Sequence, residues 1–176
     1  MLKGKKITLR PIASADTESI VKWRNSEGVN RFFLDRRPIT PESHERWLET
    51  QVFTGAVKQF IIVNNETGND VGSCFLKDID EVSKKAELGI FIGEDEARGK
   101  GLGSDAVLTL TGYGFDALEL NKVYLRVLAS NARAVAVYKN VGYKTDGVLR
   151  KDYFSGVRFE DVYIMSILKN EFFRRA

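Results

Sequence analysis

Cysteine is almost missing from this chain: Cys74 stands alone among 176 residues. One thiol excludes an intramolecular disulfide and a cysteine-rich zinc site, and it suits a reducing compartment. Histidine is equally scarce, with His44 the single imidazole, so no His/Cys ligand set exists and no metal is expected. Long hydrophobic runs are absent as well. No segment holds the roughly 18 consecutive apolar residues of a membrane span, and the basic start Met1-Leu2-Lys3-Gly4-Lys5-Lys6 lacks the apolar centre of a signal peptide. The expectation is a cytoplasmic protein with no membrane partner. A dominant charge is lacking too: 27 Lys and Arg stand against 24 Asp and Glu, a net +3 dispersed along the chain. That does not predict a nucleic-acid partner, and a small polyanionic ligand is sufficient reason for so slight an excess.

What is present is a composition able to build a core. With 43% hydrophobic and 29% charged residues, residues 1–176 are expected to form one globular domain. Ile7-Thr8-Leu9-Arg10 alternates as a strand, and a helix is expected from Ser14 to about Asn25, with Ile20 and Trp23 on its apolar face and Gly28 breaking the pattern. Thr40-Pro41 opens a second helix that packs through Trp47, Leu48 and Val52 and closes at Gly55. Residues 59–63 and 71–79 read as a hairpin, and Ala86-Glu87-Leu88-Gly89-Ile90-Phe91-Ile92 as a largely buried strand. A glycine-rich segment and a long helix to about Glu119 follow, then a strand at 123–127 and a helix capped by Asn131 that exits at Gly142. Strands at 145–153 and 158–168 complete the order, joined across Ser155-Gly156. Strand, helix and strand around Leu88 and Val123 imply a parallel crossover inside a mostly antiparallel sheet, a mixed α/β class. Exposed C-terminal strands would suit a homodimer.

The run Arg98-Gly99-Lys100-Gly101-Leu102-Gly103, with Ser104 after it, carries the first chemical signal. Glycines let a backbone approach a ligand, and the first amides of the following helix are free. The helix dipole favours an anion, and Arg98 and Lys100 add charge, so a pyrophosphate is a sensible occupant; an empty flexible loop is the plain alternative. A Walker loop fails, because Gly93 lies one residue too far upstream and Gly101 stands where Ser or Thr is required. A dinucleotide fingerprint fails too, because Ser104 occupies the third glycine position.

With Arg98, Gly101 and Gly103 in the pattern Gln/Arg-x-x-Gly-x-Gly/Ala, the chain resembles the GNAT superfamily of acetyltransferases. Leu9-Arg10-Pro11, Trp23-Arg24-Asn25 and Ala86-Glu87-Leu88-Gly89 make it similar to the branch holding ribosomal-protein alanine, spermidine and amino-sugar acetyltransferases. The resemblance implies acetyl-CoA as cofactor, its pyrophosphate on residues 98–104. It also implies a mostly antiparallel sheet flanked by helices, with a central parallel pair splayed around the pantetheine arm. The splayed strands would be 87–92, with Ile90, Phe91 and Ile92 lining the arm, and 122–127.

Transfer to an amine needs the neutral base. An ammonium with pKa about 10.4 is about 3.4 units from deprotonation at neutral pH, a gap of about 4.6 kcal/mol. Glu87 on the cleft strand matches the glutamate that many members use as base; an ion pair to a neighbouring Arg or Lys, or substrate positioning, is the competing role. Asn131 and Tyr138 lie seven residues apart, two helical turns on one side of a helix. By resemblance, Asn131 and Ala134 meet the cofactor arm and Tyr138 is the general acid; capping and packing are their ordinary alternatives. Cys74 reads as a buried strand residue, and His44 as a helix-surface residue or an acceptor contact.

The acceptor is placed by resemblance on Trp23, Arg24, Asn25 and Glu87. Cations and aromatics in Arg31-Phe32-Phe33 and Arg36-Arg37 suit a polar or anionic molecule, although tryptophan on a helix is commonly core and paired arginines are commonly solvated. The similarity around Trp23-Arg24-Asn25 and His44-Glu45-Arg46-Trp47 implies an N-acetyltransferase acting on a nucleotide-linked amino sugar. Alternatives are an N-terminal alanine of a ribosomal or other protein, a polyamine, or a non-catalytic acetyl-CoA-binding module.

Overall fold

A computed structural model describes residues 1–174. Its frame is one eight-stranded sheet in the order β1-β2-β3-β4-β5-β6-β8-β7. The strands are β1 (Leu2–Lys3), β2 (Ile7–Pro11), β3 (Lys58–Asn64), β4 (Asp70–Asp80), β5 (Lys85–Ile92), β6 (Lys122–Leu128), β7 (Lys144–Phe154) and β8 (Phe159–Leu168). All neighbours run antiparallel except β5 and β6. The helices are α1 (Thr17–Asn25), α2 (Glu27–Asn30), α3 (Pro41–Trp47), α4 (Leu102–Asp116), α5 (Ala132–Val141) and α6 (Lys169–Phe173). Among the described residues no helix is long and apolar enough to cross a membrane.

Alternation along the strands feeds two cores. Ala86 and Leu88 of β5, Val123 and Leu125 of β6 and Leu76 of β4 bury with Ala106, Val107 and Leu110 of α4 on one side. Phe91 of β5 and Ile61 of β3 bury with Ile20 and Trp23 of α1 and Leu48 on the other. A two-faced sheet therefore separates a layer built from α4 and α5 from a layer built from α1 to α3.

Three local features depart from expectation. The first helix opens as a 3₁₀ turn at Ser14–Asp16, because the Asp16 carboxylate takes the Ala13 amide (2.8 Å) and pairs with Arg10 (2.7 and 2.9 Å). Gly28 does not break structure; it sits inside α2, and a Cβ there would come within 2.8 Å of Arg98 Nη1. The second helix widens past Trp47 into a π turn over Leu48–Val52. α4 stops at Asp116, short of Glu119, while β1 and α6 carry no strong sequence signal. At the far edge β7 is exposed along most of its length, and Val148, Phe154, Val157 and Phe159 present apolar surface there.

Candidate active site

The parallel pair opens like a fork. β5 and β6 share register only at Lys85↔Lys122, Ala86↔Val123 and Glu87↔Tyr124; beyond that point β5 continues with β4, and β6 with β8. Strand groups of 88–92 that point toward β6 thus have no strand partner, and an extended ligand arm with amide groups can take them. Ile90 and Ile92 lean onto the α4 core, while Phe91 turns to the opposite face against Trp23 and Phe33.

β5 leads into a turn at Asp95–Ala97 and then the glycine run. Gly99 and Gly101 have φ of 81° and 82°, values that favour glycine strongly. Gly101 caps α4 without a side-chain bond, and the first intrahelical tie is Asp105 N to Gly101 O at 3.1 Å. The amides of Leu102, Gly103 and Ser104 have no acceptor among the described residues. Gly103 has no internal reason to be glycine, since a Cβ there would meet only Ile92 Cγ1 at 3.7 Å. Bare donors at a 15-residue helix start, on a loop shaped by glycine, fit the pyrophosphate of a CoA thioester.

The two cations expected at this cradle are placed differently. Arg98 turns inward: Nε and Nη2 donate to Ile92 O, both at 3.1 Å, and Nη1 pairs with Asp95 at 2.5 Å. Its side chain braces the end of β5. Lys100 stays exposed. Two cations that sequence reasoning missed stand at the loop as well: Lys6 Nζ donates to Lys100 O (3.0 Å), and Arg133 Nη2 lies 3.5 Å from where a Gly99 Cβ would be. Arg133 sits between Asn131 and Ala134, so its spacing from Asn131 was the available signal. Lys6 arrives from β2's side of the sheet and had none.

Asn131 caps α5, its Oδ1 accepting the Ala134 amide at 3.2 Å, and its side-chain NH2 stays without an acceptor among the described residues. Tyr138 is 8% exposed, packs near Tyr143 and belongs to the core beneath the fork. Its hydroxyl has no hydrogen-bond partner among the described residues, whereas Tyr143 spends its own on Thr111 at 2.7 Å. Burial pushes the Tyr138 phenol above its ordinary value, and at neutral pH it carries its proton, as an ordinary phenol does.

Glu87 lies at the vertex of the fork, 8% exposed, on the α1–α3 face. Arg126 Nε and Nη2 reach Oε1 and Oε2 at 3.2 and 3.4 Å, and Lys77 Nζ stands 3.5 Å from Oε2. The ion pair weighed as a competing role is present. Burial first, and then the Glu87 and Asp78 charges, raise the neighbouring Tyr124 phenol against the pull of Arg126.

The residues of α1 expected at the acceptor are engaged in packing. Trp23 is 3% exposed; its ring closes on Gly93, and Nε1 donates to Glu94 at 2.7 Å. Asn25 spends its amide on Ile39, accepting from N at 2.9 Å and donating to O at 2.8 Å. Arg24 stacks on Phe33 with Cζ 3.4 Å from the ring centre and donates to Asp35 O, leaving Nη1 buried without a partner among the described residues. Burial lowers its pKa, opposed by Asp35. These residues knit α1 to the 31–40 segment. His44 is not a surface group either: it is 5% exposed with Nδ1 3.0 Å from Thr17 Oγ1. Cys74 is fully buried on β4, and burial pushes its thiol up, away from nucleophilic use.

Comparison with known proteins agrees with this geometry. Spermidine N(1)-acetyltransferase of Vibrio cholerae is 26% identical over 170 residues, covering 97% of each chain. The putative ribosomal N-acetyltransferase YdaF of Bacillus subtilis is 27% identical, covering 94% of this chain and 92% of its own. The crystal structure of the Vibrio cholerae enzyme with CoA and spermine superposes with a TM-score of 0.88 at 26% identity, over 96% of this chain and 98% of that one. A dodecameric structure of that enzyme gives 0.82 at 27% identity, over 97% and 98%. Residues 6–144 match the acetyltransferase (GNAT) domain, and the chain belongs to that family of acetyl-CoA-dependent N-acetyltransferases.

Proposed function

We propose that this chain, acting as one domain, acetylates a primary amine directly, with Glu87 handling the acceptor's proton and Tyr138 supplying one on the thiol side. The observation that carries this reading is the fork itself: β5 and β6 part immediately after Glu87↔Tyr124, next to a helix start whose amides are unclaimed. Bound acetyl-CoA supplies an acetyl group activated as a thioester. The chain's part is to hold it on the amides of Leu102, Gly103 and Ser104, with Lys6 and Arg133 nearby and Asn131 offering its free NH2. Residues 88–92 offer strand groups to the arm. Tyr138, protonated and unpartnered, is a ready donor. Glu87 is a buried carboxylate on the opposite face, where an ammonium arrives with the proton it must lose.

For the acceptor we propose a polyamine. The names of the spermidine acetyltransferases support it, and a buried carboxylate suits an ammonium. A nucleotide-linked amino sugar is the second reading, favoured by Arg24 Nη1 and Arg36 Nε, which are buried donors without partners among the described residues and suited to an anionic acceptor. A screen of spermidine, a nucleotide-linked amino sugar and an N-terminal alanine peptide, read by mass, decides between them. Transfer to spermidine is expected; transfer to the sugar alone selects the second reading, and CoA binding without transfer to any amine contradicts the enzyme assignment. We propose a homo-oligomer as well, supported by the exposed apolar edge at β7 and by the dodecameric relative.

A further inference from the structure

Glu87 is gripped from both sides of its strand, and the two grips differ. Lys77, opposite it on β4, is a compact charge 3.5 Å from Oε2 that is shared with Asp78 at 3.6 Å. Arg126 stands on β6 two residues past Tyr124, where strand pairing with β5 has already ended. Its guanidinium reaches back across the opening fork and engages both carboxylate oxygens, Nε to Oε1 and Nη2 to Oε2. This side-chain bridge ties the two strands just beyond their last shared register.

A planar guanidinium fork fixes the plane of a carboxylate, which an ammonium cannot do. A carboxylate has about four lone-pair directions, two on each oxygen. Arg126 takes one on each, and Lys77 crowds Oε2, so Oε1 is the oxygen left open. The Arg126 side chain is 42% exposed and that of Glu87 10%, so the bridge has one dry end and one wet end. A buried carboxylate needs a counter-charge, which Lys77 alone could supply; the two-point planar contact is what Arg126 adds.

We infer that Arg126 is a positioning residue: it sets the plane of the Glu87 carboxylate so that the open lone pair of Oε1 meets the acceptor ammonium. This rests on the reading of Glu87 as the proton-handling group. Arg126 itself touches neither acceptor nor thioester in this account.

A double-mutant cycle tests it, using whichever of spermidine, nucleotide-linked amino sugar or alanine peptide is acetylated fastest by the full chain. Turnover, KM for the acceptor, Kd for CoA and the thermal midpoint are measured for E87Q, R126Q and E87Q/R126Q. E87Q is expected to lower kcat about 100-fold. R126Q should lower kcat about tenfold with CoA affinity within about twofold, and the double variant should match E87Q to within about twofold, because Glu87 is the one hydrogen-bond partner of Arg126 among the described residues. If R126Q destabilises the fold, R126K, which keeps the charge and removes the planar fork, replaces it in the same cycle. Losses that multiply in the double variant, or an R126Q effect confined to KM or the midpoint, overturn the positioning role while Glu87 stands. An E87Q variant with full turnover overturns both.

Discussion

The start of α4 is poor in polar side chains and the end of α1 is rich in them, yet it is the start of α4 that keeps hydrogen-bonding capacity to spare. At Gly101–Ser104 the donors are left open: three amides without acceptors, a glycine with no internal need to be one, and a nearby arginine in Arg133. At Trp23–Asn25 the side chains of Trp23 and Asn25 are spent on Glu94 and Ile39, and Arg24 gives one bond to Asp35 and keeps Nη1 unpartnered among the described residues. What distinguishes a binding surface from a structural clamp is hydrogen-bonding capacity left over after folding, and residue type alone does not reveal it.

The comparison breaks first at Gly101. Gly101→Glu places a side chain at φ 82° and brings a negative charge to the cradle, so CoA affinity should fall by about 100-fold, roughly 2.7 kcal/mol at 1.36 kcal/mol per decade. Calorimetric titration with CoA checks it. Tyr138→Phe removes a hydroxyl that bonds to nothing in the described protein; turnover should drop about 100-fold while CoA affinity and thermal midpoint hold, and unchanged turnover removes Tyr138 from the chemistry.

The other side of the comparison predicts stability effects. Asn25→Ala deletes two bonds to Ile39 and should cost about 1–2 kcal/mol in urea unfolding, with CoA affinity within about twofold. The smallest effect belongs to His44. Burial lowers its pKa, partly opposed by the Asp16 charge. The unfolded chain therefore binds a proton the folded chain declines, and stability falls as pH drops below about 6.5, by at most about 1.4 kcal/mol per pH unit for one proton, until the folded value is passed. His44→Gln should flatten that slope; an unchanged slope assigns it to other groups.

Much of this could be read from the sequence because it rested on periodicity or backbone need. The buried strand over 86–92, the long helix that follows the glycine run and the Asn131 cap each follow from local geometry, and all stand where expected. The inward turn of Arg98 was not legible: Asp95 and Ile92 are near it in the chain, but the Gly28 gap it fills is brought to it by folding. The packing of Trp23 and Asn25 was not legible either: their partners, Gly93, Glu94 and Ile39, are distant in the chain. Arg126 lies in a plain strand pattern, and only the fork gives its pairing with Glu87 a meaning.

The most direct test of the central claim is residue-resolved amide NMR during titration with CoA. The account predicts that the amides of Gly99 to Ser104, and those of 88–92 along the open side of β5, shift most, while those of Trp23 to Asn25 stay nearly still. Largest shifts on Trp23 to Asn25, with the glycine run silent, would contradict it.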